Sequence, residues 1–227
     1  MAEYDLSRDG DVFVLRMTSG ENRFNPGFIA AMNRALDEVE NSRGAAALVT
    51  VGEGKFYSNG LDLDWLSQQE HSVSMQFIAT VLHLFARIIA LPVATCAAMN
   101  GHAFAGGAML ALAHEWRVMR SDRGFFCLPE LDLGMPLVLG MRTLIREKIG
   151  VRAYRDTVLT GGRLGADDCL RIGIVDQVAA EAEVLPAAVE RLRPLAGKNR
   201  DACRVLKRGL YAELLADLTG EGSISVP

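Results

Sequence analysis

Short apolar runs alternate along this chain with longer segments in which apolar residues recur at helical spacing. Residues 12–17 and 45–51 have the length and composition of buried strands, and glycines follow the second of them. Between these runs, the apolar residues of 27–41 return every three or four positions, as they do on one face of a helix. Because strands that alternate with helices form sheets covered by helices, the sequence predicts an α/β fold.

The same alternation continues through the second half of the chain. The pair Asn100 and Gly101 is expected to turn the chain directly into a helix start. Residues 161–178 are expected to form a turn, a helix and a strand-like exit, and residues 219–227 a loose tail. The remaining predicted strands are 93–99, 116–119 and 124–127, and the remaining predicted helices are 63–90, 139–149, 151–160 and 183–218.

Composition places the chain among ordinary globular proteins. Its 227 residues are 50% hydrophobic and 23% charged, which provides enough apolar side chains for one sizeable core. No linker or low-complexity tract interrupts the order of the elements. We therefore expect residues 1–165 to form the α/β core and residues 166–227 to form a helical C-terminal oligomerisation region.

Charge, cysteine usage and hydropathy exclude several classes of protein. The formal net charge of -4 gives no electrostatic basis for binding nucleic acid. The four cysteines are far apart in the sequence and form no C-x-x-C pair, so neither a disulfide framework nor a metal site is expected. The apolar stretch 78–99 is interrupted by His83, Arg87 and Pro92, which argues against a membrane span.

Neither end of the sequence carries a recognisable targeting signal. The first ten residues lack the basic and apolar regions of a signal peptide. The last four residues, ISVP, are not a peroxisomal address of the SKL type. A cytoplasmic location is therefore expected.

An acidic residue, Glu130, lies in a largely apolar run with aromatic residues nearby and a proline directly before it. Burial among apolar groups disfavours the charged carboxylate and raises its pKa toward neutrality, where a general acid or base is most effective. The alternative is a solvated surface residue, because glutamates beside proline commonly start helices or face water. Glu130 is therefore a candidate for proton transfer.

Two segments place glycines just before expected helix starts: SNGLDL at 58–63 and NGHAFAGGAML at 100–110. The first amides of a helix have no acceptor within that helix and point outward. If the two segments face each other, their amides form an oxyanion hole that stabilises a carbonyl oxygen as it gains charge. The alternative for each segment is that its glycines serve only a tight turn or close packing.

Taken together and in this order, the motifs FYSNGLDL, PVATCAAMNGHAFAGGAMLALAHEWRVM and DRGFFCLPELDLGMPL resemble the crotonase superfamily, also called the enoyl-CoA hydratase/isomerase family. The weaker pattern GGRLGADDCLRIGIVDQV follows from Gly161, and the phrases SNGLDLDWL and LPELDL look most like Δ3,Δ2-enoyl-CoA isomerases. The resemblance implies a crotonase-like spiral of ββα units with a helical C-terminal region. It also implies an acyl-CoA thioester substrate, no separate cofactor because coenzyme A is part of that substrate, and assembly into homotrimers or hexamers.

The resemblance also implies roles for particular residues. The backbone amides of Leu61 and Gly106 are expected to form the oxyanion hole. Hydratases of this family use two glutamates; here Glu130 matches the second, whereas Met109 occupies the position of the first. A single carboxylate can carry a proton from C2 to C4 of a 3-enoyl thioester, so we expect an isomerase of fatty acid β-oxidation with Glu130 as its catalytic residue. The alternatives are an enoyl-CoA hydratase, another crotonase-type reaction, and an inactive acyl-CoA binder.

The resemblance further implies residues that bind the two ends of the substrate. Those expected to bind coenzyme A are Asn22, Phe24, Ser58, Asn59 and Gly60. Those expected to line the acyl pocket are Trp65, Met109 and Leu137, with Leu66, Phe85 and Met141 as further candidates.

Other polar residues carry more general expectations. Lys55 or Lys207 is expected to meet phosphates, and Asp62 to cap a helix or orient its loop. His102 and His114 are expected to be packing or surface residues. No residue is expected to bind a metal.

Overall fold

The computed structural model describes residues 4–220, which form two sheets surrounded by helices. The larger sheet contains, in spatial order, β1 (Tyr4–Asp9), β2 (Val12–Met17), β3 (Ala47–Val51), β5 (Ala94–Met99), β7 (Trp116–Arg120) and β9 (Gln177–Ala179). The smaller sheet contains β4 (Phe56–Ser58), β6 (His102–Phe104) and β8 (Phe126–Cys127). β1 and β2 pair antiparallel, and every other pair of neighbouring strands is parallel.

The helices are α1 (Pro26–Asn41), α2 (Leu63–Leu66), α3 (His71–Ala90), α4 (Gly106–Leu112), α5 (Leu139–Val158), α6 (Ala166–Arg171), α7 (Val184–Leu192), α8 (Arg200–Leu210) and α9 (Ala212–Thr219). Short 3-10 turns at Glu181–Glu183 and Arg193–Leu195 flank α7.

Three successive units share one order: a strand of the larger sheet, a strand of the smaller sheet, and then a helix. They are β3-β4 followed by α2 and α3, β5-β6 followed by α4, and β7-β8 followed by α5. This repetition confirms the predicted α/β class and the spiral of ββα units. β3 is buried at every position, as expected for a parallel strand with helices on both faces of its sheet.

Local sequence explains how α1 starts and why it stays against the core. Asn25 caps α1 by accepting a hydrogen bond from the Phe28 amide at 3.0 Å, and Pro26 occupies the first turn, where its missing N–H costs nothing. The apolar side chains of α1 that recur at helical spacing, including Met32 and Leu36, are buried. The apolar residues that recur at helical spacing in the sequence therefore form the face of α1 that packs on the sheet.

Helix α3 is long and apolar enough, with a mean hydropathy of 1.6, to cross a membrane by length and composition alone. In the fold its apolar face packs into the core, where Val81, Leu84 and Ile88 are almost fully buried. α3 also packs against α1 and α9. Its apolar character is therefore explained by the core that it helps to build.

The structure differs from the predicted elements in several places: β4 was not predicted, and the predicted helix 183–218 divides into α7, α8 and α9. β1 was not predicted, because only pairing with β2 holds its largely exposed residues extended. The short strand β6 lies between Asn100-Gly101 and α4, where a direct entry into the helix was expected. The predicted helix 63–90 breaks between α2 and α3. The predicted division between helices 139–149 and 151–160 is confirmed, because Gly150 inside the span of α5 has a non-helical backbone with φ 73° and ψ 166°.

The C-terminal region is joined to the core within the chain. β9 extends the larger sheet beside β7, and α7 packs across β3, β5 and β7. α9 packs against α3 and α5. A role for residues 166–227 in oligomerisation stays a prediction, and most of the expected tail, 221–227, lies outside the described residues.

Candidate active site

The three strands of the smaller sheet end at one edge, and the segments that follow them carry the predicted functional groups. β4 leads to Leu61, β6 leads to Gly106 and β8 leads to Glu130. Because these strands are parallel, their carboxyl ends lie side by side, which is the usual place for a ligand in such sheets. The fold therefore brings together three residues that are far apart in the sequence.

A parallel bridge between Phe24 and Leu61 sets the direction of the Leu61 amide. The Phe24 amide donates to the Gly60 carbonyl oxygen at 2.7 Å, and the Asp62 amide donates to the Phe24 carbonyl oxygen at 3.0 Å. Since backbone groups alternate in direction along an extended segment, the Leu61 amide points away from this bridge. Within residues 4–220 it has no hydrogen-bond acceptor.

Gly106 begins α4 and follows a strained residue. Ala105 has φ 48° and ψ -120°, a conformation that non-glycine residues rarely adopt. This sharp turn between β6 and α4 directs the first amide of the helix, and the described part of the chain offers the Gly106 amide no acceptor. A β carbon on Gly60 would lie 2.8 Å from the Gly106 nitrogen, so the two amide-bearing loops are in direct contact.

Glu130 lies in the turn after β8 and is almost completely buried, with 8% of its surface exposed. Its Oε2 atom is buried without a hydrogen-bond partner among the described residues. Burial raises the pKa of the Glu130 carboxyl above its usual value. A buried carboxylate with an unpaired oxygen is costly to the fold, and groups of this kind cluster at catalytic sites.

Leu61, Gly106 and Glu130 line one cavity of about 350 Å³. Met109, one turn after Gly106 in α4, is 1% exposed and forms part of the wall. The other buried or partly buried apolar wall residues include Ile78, Val81, Leu137, Val138 and Met141. The cavity therefore combines two unpaired amides, one carboxyl group and an apolar surface, an arrangement that fits an apolar molecule with a carbonyl group.

The mouth of the cavity is polar. Arg23 donates hydrogen bonds to Glu21 at 2.7 Å and to Asp64 at 2.9 Å, which ties the loop before α1 to α2. Arg23, Asp64 and Asn59 all line the cavity. Asn59 also donates to Glu21 at 2.8 Å, so this side of the opening is a network of charged and amide groups.

Four residues expected to bind coenzyme A, Gly60 among them, are not on the cavity surface. Asn22, Phe24 and Ser58 are fully buried, and none of them lines the cavity. The Asn22 and Ser58 side chains are used in hydrogen bonds within the protein, and Phe24 stacks on Phe28 with ring centroids 5.2 Å apart. These residues shape the loops from within, so direct contact with a ligand is not supported for them. Asn59 does line the cavity, and Gly60 allows the two loops to approach.

The predicted acyl-pocket residues divide in the same way. Met109, Leu137 and Met141 line the cavity. Trp65 does not, because its ring packs against Phe77 at 4.7 Å. Leu66 and Phe85 also lie off the cavity surface, since both pack in or against the core.

Lys207 was expected to meet phosphates, and the structure contradicts this expectation. Its ammonium group is buried, donates to the carbonyl oxygens of Leu91 and Val93 at 2.8 and 2.9 Å, and pairs with Glu115 at 2.8 Å. Two of its three donors are therefore used by carbonyl oxygens, and its charge is paired with Glu115. Lys55, by contrast, is exposed beside the ring of Phe56, and phosphate binding by it stays a prediction.

The remaining polar predictions agree with the structure. Asp62 caps α2 by accepting from the Trp65 amide at 3.2 Å. Burial lowers the pKa of His114 to about 3, and its ring contacts Thr50 Oγ1 and the Leu110 carbonyl oxygen. His102 packs among aromatic rings and lies off the cavity surface.

Several wall residues were missed by the sequence analysis. Ile78 and Val81 lie one turn apart on the face of α3 that meets the cavity, and Leu133 and Val138 come from the loop after Glu130. The spacing in α3 indicates a buried face but does not reveal whether it meets the core or a ligand. The strain at Ala105 has no signal in the sequence, because alanine is unusual at such a backbone conformation.

The model of the family described as enoyl-CoA hydratase/isomerase matches residues 8–222. The chain belongs to this family. It is 35% identical to enoyl-CoA delta isomerase 3 of Arabidopsis thaliana over 94% of this chain and 95% of that protein. It is 34% identical to enoyl-CoA delta isomerase 2, peroxisomal, of the same plant, over 92% of each protein. The resemblance to the crotonase superfamily, and within it to enoyl-CoA isomerases, is confirmed.

Solved structures of the family have the same fold. A probable enoyl-CoA hydratase from Mycobacterium tuberculosis H37Rv superimposes with a TM-score of 0.89 and 25% identity, over 97% of this chain and 92% of that one. Both hydratases and isomerases are therefore named among the similar proteins. The wider family does not by itself choose between the two reactions.

The expectation of a cytoplasmic location is contradicted by these relatives. One isomerase that matches the chain over nearly its full length is named peroxisomal. The expectation depended on the lack of an SKL-type C-terminal address, which is one kind of targeting signal among several. The C-terminal sequence therefore gave the wrong prediction for location.

Proposed function

We propose that this protein is an enoyl-CoA isomerase that converts 3-enoyl-CoA thioesters into their 2-trans isomers. The observation that carries the proposal is the pairing of a lone buried carboxyl group, Glu130, with the unpaired amides of Leu61 and Gly106 in one cavity. The ionisable side chains among the described cavity residues are Arg23, Asp64 and Glu130, and the first two pair with each other at the mouth. Glu130 is thus the group available for proton transfer inside the cavity.

In the proposed reaction the thioester oxygen accepts hydrogen bonds from the Leu61 and Gly106 amides. Ionised Glu130 takes a proton from C2, and the C2–H electrons form a C1=C2 bond as the carbonyl π electrons move onto the thioester oxygen, which gives a dienolate. The negative charge spreads onto the oxygen, where the two amides stabilise it. Glu130 then returns the proton to C4: the C3=C4 electrons form the C4–H bond, the C1=C2 electrons form the C2=C3 bond, and the carbonyl is restored. The carboxylate is regenerated and no co-reactant is consumed.

Met109 favours isomerisation over hydration. Addition of water needs one group to activate the water and another to deliver a proton, and Met109 can do neither. Its buried thioether side chain instead extends the apolar wall beside the amides. An apolar wall excludes water, which raises the pKa of the neighbouring carboxyl and suppresses hydration of the conjugated product.

The relatives named enoyl-CoA delta isomerase support the same reaction. Since it moves a double bond into conjugation with the thioester, we place it in the β-oxidation of unsaturated fatty acyl groups. Coenzyme A enters as part of the substrate, and the proposal requires no further cofactor. Assembly into a homotrimer or a hexamer, implied by the family resemblance, belongs to the same proposal.

A panel of 3-enoyl and 2-enoyl CoA thioesters of varied chain length tests the proposal. Purified protein is expected to convert 3-enoyl substrates into products of unchanged mass that show the ultraviolet absorption of a conjugated thioester. Products heavier by one water would identify a hydratase. Tight binding with neither turnover nor exchange of the C2 protons in deuterated water would identify an inactive binder.

A further inference from the structure

We infer that Ser58 and Asn22 are positioning residues that hold the two amides of the oxyanion hole in register. The inference depends on the proposed function, because it concerns how the Leu61 and Gly106 amides are aimed at a thioester oxygen. Neither Ser58 nor Asn22 lines the cavity, and both are fully buried. They therefore act on the substrate through the backbone and not by contact.

The Ser58 hydroxyl links the loop at Asn22 to the loop at Gly60, which leads to the Leu61 amide. It donates to the Asn22 carbonyl oxygen at 2.7 Å and accepts from the Gly60 amide at 3.2 Å. Gly60 directly precedes Leu61, so this bond fixes the peptide adjacent to the one that carries the Leu61 N–H, which is itself held by the Phe24 amide at 2.7 Å. Without the hydroxyl, the buried Gly60 amide would lose its acceptor and the loop would have to turn to find another.

Ser58 also determines where the second amide lies. A β carbon on Gly107 would lie 2.1 Å from the Ser58 carbonyl oxygen and 2.8 Å from the Ser58 β carbon, so α4 begins in direct contact with this residue. Gly107 follows Gly106, the second proposed donor. One residue therefore meets both amide-bearing segments, its hydroxyl on one side and its backbone on the other.

Asn22 holds the other end of this arrangement. Its backbone has φ 50°, in the left-handed region that asparagine tolerates better than most residues. Its side chain accepts from the Ser19 amide at 3.0 Å and donates to the Tyr57 carbonyl oxygen at 3.0 Å. The first bond fixes the turn, and the second attaches it to β4 one residue before Ser58. The bonds to Ser19 and Tyr57 therefore hold the Asn22 carbonyl oxygen, which accepts from the Ser58 hydroxyl, in place.

The test measures polarisation of the thioester carbonyl together with turnover. In the wild-type protein, the carbonyl stretching frequency of a bound 2-enoyl-CoA is expected to fall relative to free thioester. Ser58→Ala is expected to reverse most of that fall and to lower kcat by roughly tenfold to a hundredfold, less than the loss of a whole oxyanion donor. KM is expected to change little, because the ligand-contacting surface stays intact.

Two further variants make the result decisive. Asn22→Asp keeps the acceptor for the Ser19 amide but removes the donor to Tyr57, so it is expected to weaken the carbonyl shift even if Ser58→Ala does not fold. Thr157→Ala removes another fully buried hydroxyl, which donates to the Ala153 carbonyl oxygen at 2.7 Å and belongs to a residue that does not line the cavity, and serves as the matched control. It is expected to lose stability but to keep the carbonyl shift and kcat.

Different results would contradict the isomerase activity and the positioning role of Ser58 and Asn22. If the wild-type protein turns over no 3-enoyl-CoA and shows no carbonyl shift, the proposed function fails. If the wild-type protein shows both, while folded Ser58→Ala or Asn22→Asp keeps the full shift and kcat, the positioning role fails and the isomerase remains.

Discussion

At the scale of single residues, Glu130 is the clearest case of a side chain that does not stabilise the fold. A buried carboxyl group with an unpaired oxygen lowers stability unless something else requires it. The sequence predicted both its burial and its raised pKa from the apolar run around it. It could not predict that two backbone amides face the same cavity, because that depends on strand pairing between distant segments.

The pH dependence of activity follows from the raised pKa of Glu130. The carboxylate must be ionised to remove a proton from C2, so kcat/KM is expected to fall as pH falls through the pKa of the folded protein. The midpoint is expected above the value of about 4.3 for an unperturbed glutamate. A profile of kcat/KM against pH, measured where the protein stays folded by circular dichroism, tests this. A midpoint at or below the unperturbed value would contradict a desolvated base.

The residues predicted to bind coenzyme A show that a sequence motif predicts the segment near a ligand but not the direction of its side chains. Asn22, Phe24 and Ser58 lie in segments that do border the cavity, yet their side chains face inward. A motif fixes which segment is near the ligand. It does not fix which side of that segment faces the ligand, because the bridge between Phe24 and Leu61 sets that direction.

At the scale of elements, the smaller sheet and α4 determine the site. Strands β4, β6 and β8 have two or three residues each, too few for a strong sequence pattern, and β4 and β6 were missed for this reason. Their parallel pairing is nevertheless what places three functional segments at one edge. The longer helices, and the buried strands of the larger sheet from β2 to β7, were predictable because their apolar residues extend over more positions.

Gly107 tests whether close contact between β4 and α4 is needed for activity. Gly107→Ala would place a β carbon 2.1 Å from the Ser58 carbonyl oxygen, and backbone cannot yield as a flexible side chain can. We expect α4 to shift, with a loss of about 1–3 kcal/mol in the free energy of unfolding and a large fall in kcat. Denaturant unfolding and steady-state kinetics measure the two effects.

Gly209→Ala is the control for this change. Gly209 lies in α8 with nothing within 4 Å of an added β carbon, so alanine there is expected to stabilise the helix by roughly 0.5–1 kcal/mol without changing kcat. Full activity in folded Gly107→Ala would show that the approach of α4 to β4 is not required.

At the scale of the whole molecule, α8 presents large apolar side chains to solvent. Val205, Leu206 and Leu210 are 70%, 71% and 73% exposed, whereas Lys207 on the same helix points inward. Exposed apolar groups that lie together commonly mark an interface. The sequence predicted helices in this region, but it did not indicate which of their faces the fold leaves open.

Self-association through α8 is therefore expected. Light scattering of the purified protein should give three or six times the chain mass of 24.6 kDa. Leu206→Glu with Leu210→Glu should lower that mass, because two charges would have to be buried at the interface. The double change Glu213→Gln with Asp201→Asn, at exposed polar positions of α8 and α9, is the control and should leave the mass unchanged. A monomeric wild-type protein would contradict the proposed assembly.

We propose that one buried carboxylate, Glu130, carries the proton between two carbons, and replacement of that residue tests the proposal most directly. Glu130→Gln keeps the size of the side chain. Since the folded pKa of Glu130 is raised, its stabilising contribution is present below the unfolded pKa and lost as pH rises through the folded pKa. The neutral glutamine should therefore leave the protein at least as stable as wild type at pH 7, which thermal unfolding checks.

The measurement is kcat for a 3-enoyl-CoA in Glu130→Gln, with Asp132→Asn as the control because Asp132 is a nearby exposed carboxylate outside the cavity. We expect Glu130→Gln to lower kcat by roughly 10²- to 10⁴-fold with ligand affinity retained, and Asp132→Asn to leave kcat unchanged. Isomerase turnover near the wild-type rate in folded Glu130→Gln would contradict the account.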